Sequence, residues 1–119
     1  WNIMLEQIKK AVDEWDALDI ETRALLFKSN ALHKQMDKFN MDRYNLQRKL
    51  DTALVESIPE KITDLLDNIR ETNTTVKKLR EEYHKIRKEY SHTWPKVDLA
   101  KKKVEKLKKK FWEQEGLAL

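Results

Sequence analysis

Apolar side chains return along this chain at alternating intervals of three and four residues, in two separate phases. With Trp1 taken as position a of a seven-residue repeat and Met4 as position d, the d positions are Met4, Ala11, Leu18, Leu25, Leu32, Phe39, Leu46 and Ala53, all apolar. The a positions Trp1, Ile8, Trp15, Met36 and Leu50 keep the same phase, interrupted by Thr22, Ser29 and Arg43. From Ile62 a second phase runs through Leu65, Ile69, Val76, Leu79, Tyr83, Ile86, Tyr90, Val97, Ala100, Val104 and Leu107 to Phe111, with Thr72 and Thr93 as its polar members. A spacing of about 3.5 residues keeps one stripe facing a neighbour only if helices wind around each other, so the pattern predicts two long coiled-coil helices.

The phases meet at Ser57-Ile58-Pro59-Glu60. Ser57 is expected to cap the second helix, Glu60 to complete a capping box, and Pro59 to sit in the first turn, where its missing N–H removes no bond. The chain then reads as a single region, 1–119, with arm one at 1–56, a turn at 57–60 and arm two at 60–115. Pro95 lies inside the second phase, which passes it without slipping, so a kinked but continuous helix is predicted there. If the arms fold back with Ala53 opposite Ile62, facing residues have numbers that sum to 115. Leu50 then meets Leu65, Trp15 meets Ala100, Ala11 meets Val104, Thr22 faces Thr93 and Arg43 faces Thr72. Beside the seam, Glu14, Glu21 and Lys28 come opposite Lys103, Lys96 and Glu89, each pair of opposite sign. The predicted fold is all-α, an elongated antiparallel coiled-coil hairpin of two long heptad helices.

Two helices cover only a narrow stripe. Leu5, Val12 and Leu26 on arm one and Trp94 on arm two occupy flanking e positions and widen it. Left open, they would form an apolar patch of the kind soluble monomers avoid. These four are therefore the candidates for pairing with a partner helix or with further copies in a larger helical bundle. Trp15 fills the seam, whereas Trp112 lies off it, like Trp94.

Composition narrows the function. One glycine, two prolines and no cysteine in 119 residues exclude glycine-loop nucleotide folds, thiol catalysis, disulfides and thiolate metal sites. The longest strictly apolar run, Ala24-Leu25-Leu26-Phe27, is too short to span a bilayer. No secretory signal pattern is visible, and a cytoplasmic location is expected. Trp1 already belongs to the helical pattern with no capping residue ahead of it, which reads as an excised segment.

Glu81 with His84 and Glu89 with His92 repeat the Glu-x-x-His spacing of metal centres in helical bundles. In this frame Glu81, His84 and His92 point outward and Glu89 flanks the seam, so no metal or other cofactor is expected. His33, at an e position, is expected to be a partly covered structural histidine. A narrow apolar stripe offers no place to assemble a nucleophile, base and acid, and no enzymatic activity is expected. Asn73-Thr74-Thr75 has the letters of a glycosylation site inside a helix and reads as coincidence.

Charge carries the functional signal. Residues 1–60 hold nine basic and eleven acidic side chains, whereas 61–119 hold sixteen and ten. The excess culminates in two triplets, Lys101, Lys102, Lys103 and Lys108, Lys109, Lys110, which occupy e, f and g and make a basic outer face. Such a face attracts an acidic surface, either anionic lipid or an acidic protein such as a cytoskeletal filament. Nucleic acid ranks last, because Asp98 and Glu105 interrupt the patch and no base-stacking platform is present.

The stretch from Lys85 to Phe111, with Tyr90, Trp94, Ala100 and its lysine-dense outer face, resembles the long helices of F-BAR domains. That resemblance implies a dimeric helical fragment binding anionic membranes. The heptads are also similar to those of spectrin-type three-helix repeats, whose three helices are of matching length, unlike the segments here. The expected function is a non-enzymatic scaffold or assembly module mediating protein–protein interaction, with the membrane-binding fragment as the alternative.

Overall fold

The computed structural model describes the backbone of residues 2–116 and the side chains of 3–116; Trp1, expected to open the seam, lies outside them. The described residues form two helices, α1 (Asn2–Glu56) and α2 (Pro59–Gln114), in an all-α antiparallel hairpin. Neither helix needs a strong intrinsic propensity over such a length, because each presents a continuous apolar stripe to the other.

The reversal differs from the expected capping box. Ser57 adopts a left-handed φ of 54° and closes α1 instead of opening α2. Its amide donates to the Leu54 carbonyl at 3.3 Å, and the Ile58 amide donates to the Ala53 carbonyl at 3.4 Å. This pair of bonds is a Schellman closure, which satisfies carbonyls that the end of a helix would otherwise leave orphaned. Ile58 is the residue that caps α2, its carbonyl accepting from the Ile62 amide at 3.1 Å. Pro59 opens α2, as its preset φ and absent N–H favour. The four-letter pattern was matched, but left-handed backbone at Ser57 gave that residue to the preceding helix.

Pro95 lies within α2, which continues through it as a single helix. At the far end, Gly116 takes φ 67° and its amide donates to the Glu113 carbonyl at 3.1 Å. A left-handed residue just past the last turn is where glycine carries no side-chain penalty.

The chain is organised as two compact units, each crossed by both helices: residues 1–27 with 87–119, and residues 28–86. In both, every a and d position among the described side chains is buried or half-buried, so the heptad frames hold along both helices. In the first unit the most covered side chains are Val104 and Ala11, 1% and 2% exposed, the pair expected to share a layer. Thr22 and Thr93 are also both buried. Their hydroxyls donate back to the Leu18 and Glu89 carbonyls at 2.7 and 2.8 Å, so this polar layer leaves neither hydroxyl unsatisfied. Of the flanking charge pairs expected here, Lys103 and Glu14 approach to 3.7 Å. Glu21 and Lys96 form no ion pair among the described residues.

In the second unit Ser29, Leu32, Ala53, Val76 and Ile86 are buried. Arg43 takes a half-buried seam position, and its guanidinium donates to Asn40 Oδ1 at 3.0 Å and, across the pair, to Asn73 Oδ1 at 3.1 Å. His33 meets Tyr83 of the opposite helix edge to face, with ring centroids 6.0 Å apart. Both cross-helix contacts fit the antiparallel register read from the heptads.

Candidate functional site

With two helices, the sides of the seam are open, and the first unit shows what occupies them. Position e lies next to a around the helix, so e residues of both helices flank one side of the pair. Val12 and Leu26 are half-buried there, Leu5 is 37% exposed and Trp94 is 51% exposed. The structure thus brings the four expected association residues to one side of one unit, covered to different degrees. Arg87, Lys101 and Lys108 hold the neighbouring e positions of α2, giving the apolar stripe a basic border. The Arg87 guanidinium carbon also lies 5.1 Å from the centre of the Tyr90 ring, a cation–π spacing. On α1 the acidic e residue Asp19 is engaged by Arg23 at 2.8 Å.

All six residues of the lysine triplets are exposed. Lys102 pairs with Asp98 at 3.0 Å and Lys103 with Glu14 at 3.7 Å. Exposed pairs of this kind contribute about 0–1 kcal/mol each, so their main effect is to offset part of the local field.

Sequence reasoning missed the outermost apolar positions. Ile20 and Phe27 are 68% and 76% exposed on the face of α1 turned away from α2, with exposed Ala17 and Ala24 between and beside them. Their signal was present as a three-and-four spacing at positions c and f, a second phase on the same helix. Leu99, 66% exposed, holds the equivalent outward position on α2. In the second unit Met41, Tyr44, Leu54 and Val55 are similarly exposed.

His33 is more open than expected: its side chain is 59% exposed, with Nδ1 lying 3.3 Å from Asp37 Oδ2. An e position on a two-helix pair is covered from one direction only, which accounts for the difference. Glu81, His84, Glu89 and His92 are all exposed, and His84 makes a ring contact with Tyr83. Among the described residues no group of three or more His, Cys, Asp or Glu side chains is placed to hold a metal ion. A trough of about 750 Å³ runs beside the seam of the second unit, floored by Ala53 and Leu65 and edged by Arg48, Lys49, Lys61 and Asp64. It exists because Ala53, Thr52 and Asn68 are short, and its mixed charges converge on no single ligand chemistry. Among the described residues no helix is long and apolar enough to cross a membrane. No family model, curated protein or solved structure matches the chain.

Proposed function

We propose that the chain is a non-enzymatic helical scaffold that engages other helices along the side stripe of Leu5, Val12, Leu26 and Trp94. The exposed Lys101, Lys102, Lys103, Lys108, Lys109 and Lys110 steer an acidic surface toward it. One observation carries this reading: the a and d positions are covered throughout, while the stripe beside them in the first unit is only partly covered. An apolar strip with a basic border is the usual complement of a further amphipathic helix with acidic flanks.

Sedimentation equilibrium of the chain and of a Leu26→Ser, Trp94→Ser variant tests it. The variant should lose mass relative to the parent chain while its thermal unfolding at low concentration is unchanged. An unchanged mass with a lowered melting temperature would assign the stripe to the folded core instead.

The exposure of every lysine in both triplets, with Trp112 42% exposed nearby in sequence, favours one second reading, binding to anionic membranes. Vesicles containing phosphatidylserine should then pellet the chain at low salt and release it at high salt. Absence of pelleting at low salt removes that reading.

A further inference from the structure

The outer faces of the first unit differ in charge, and each carries exposed apolar residues. On α1, Ala17, Ile20, Ala24 and Phe27 alternate small and large at positions c and f, forming a second seam that faces away from α2. Glu6, Asp13, Glu14, Asp16 and Glu21 line this seam, with Lys9, Lys10 and Arg23 the opposing charges. On α2, Pro95, Leu99, Lys102 and Lys106 hold the outward f and c positions, bordered by Lys96 and Lys103 on one side and Asp98 and Glu105 on the other. Packing either face on its own copy would set acids against acids or lysines against lysines, which like-charge repulsion disfavours.

We propose that the outer face of α1 in one copy packs antiparallel on the outer face of α2 in a second copy. The register that sets the apolar residues of the two faces together and opposes most charges between residues 13 and 27 is the one in which facing seam residues have numbers that sum to 119. Ile20 then meets Leu99 of the next copy, Ala24 meets the Pro95 ring, and Phe27 meets His92. Asp13 falls opposite Lys106, and at the flanking positions, whose numbers sum to 117 or 121, Glu21 faces Lys96 and Arg23 faces Asp98, while Asp16 with Glu105 at the border and Lys10 with Lys109 and Glu6 with Glu113 in the seam are like-charged. Sliding by one heptad either way would set Ile20 against His92 or Lys106. Because the two surfaces differ, a pair of copies keeps one face of each kind free. The contact is heterologous, and it propagates into a ring or an open array instead of stopping at a dimer.

This surface is separate from the side stripe on which the scaffold reading rests, so crosslinking between positions 20 and 99 reads it whether or not the stripe associates. The chain has no cysteine, so introduced thiols report contacts without background. Under mild oxidation, chains carrying Ile20→Cys mixed with chains carrying Leu99→Cys should give disulfide dimers, and neither should do so alone. A chain carrying both substitutions should give a ladder of dimer, trimer and higher species, lost in high salt. In that double-cysteine chain, Asp13→Lys should weaken the ladder severalfold, and adding Lys106→Asp should restore it. Residues 13 and 106 lie on opposite outer faces, so only contact between copies can couple them. Circular dichroism checks that each variant keeps its helix content. Self-crosslinking of Ile20→Cys as efficient as the mixed reaction overturns the proposal, as does a mass that stays at the 14.4 kDa monomer at every concentration by light scattering.

Discussion

Ser57 concentrates the energetics of the reversal in one residue. A left-handed conformation costs an L-residue roughly 1–2 kcal/mol that glycine does not pay, although glycine also loses more freedom on folding. Ser57→Gly should therefore stabilise the chain by about 1 kcal/mol, raising the midpoint of a circular-dichroism melt by roughly 4 °C. A β-branched replacement, Ser57→Val, should lower it. Serine at this position points to the second helix in the sequence but closes the first in the structure, for a physical reason. Its side chain favours helix starts, and Glu60 three residues on fits a capping box, but neither letter reports the sign of φ. Gly116, by contrast, stands where its composition signals such a backbone, and there the left-handed turn is found.

At the scale of the elements, the heptad frames were legible almost completely. Thr22, Ser29, Thr93 and Arg43 looked like flaws in the stripe, yet the first three are buried and Arg43 is half-buried. A threonine can occupy the seam because its hydroxyl bonds to the preceding turn of its own helix, and Arg43 can because Asn40 and Asn73 accept from it. The partners of Arg43 were not legible, since Asn40 and Asn73 sit at e positions with no apolar signal. Ile20 and Phe27 fall outside the phase that pairs the two arms, although a helix has room for a second one. Pro95 was placed correctly inside α2 because the frame passes through it. It still removes a backbone bond and crowds the preceding turn. Pro95→Ala should stabilise the helix by about 2–3 kcal/mol in chemical denaturation. If Pro95 also fills the contact with Ala24 of another copy, the same substitution should weaken assembly while it strengthens the fold.

At the scale of the molecule, few of the described side chains escape solvent fully, and among those that do are small ones such as Ala11, Ser29 and Ala53. A pair of helices has no third layer to close over its sides, so the apolar area available to offset chain entropy is limited. Association that buries Leu26, Trp94, Ile20 or Phe27 adds to that area, and folding is then linked to concentration by mass action. The melting temperature should rise with protein concentration in low salt, measured by circular dichroism across a dilution series. A value that does not move on dilution would mean that the isolated pair is sufficient by itself. The reversal bears on how copies can exchange. If the turn straightened into helix, α1 and α2 would join, and two such chains could rebuild every core layer between them as a strand-exchanged dimer. Pro59 stands at the centre of that joined helix, where its ring would strike the Val55 carbonyl and cancel a hydrogen bond, at about 3 kcal/mol per chain. The residue that opens α2 thus also discourages the chain from trading arms with its neighbours.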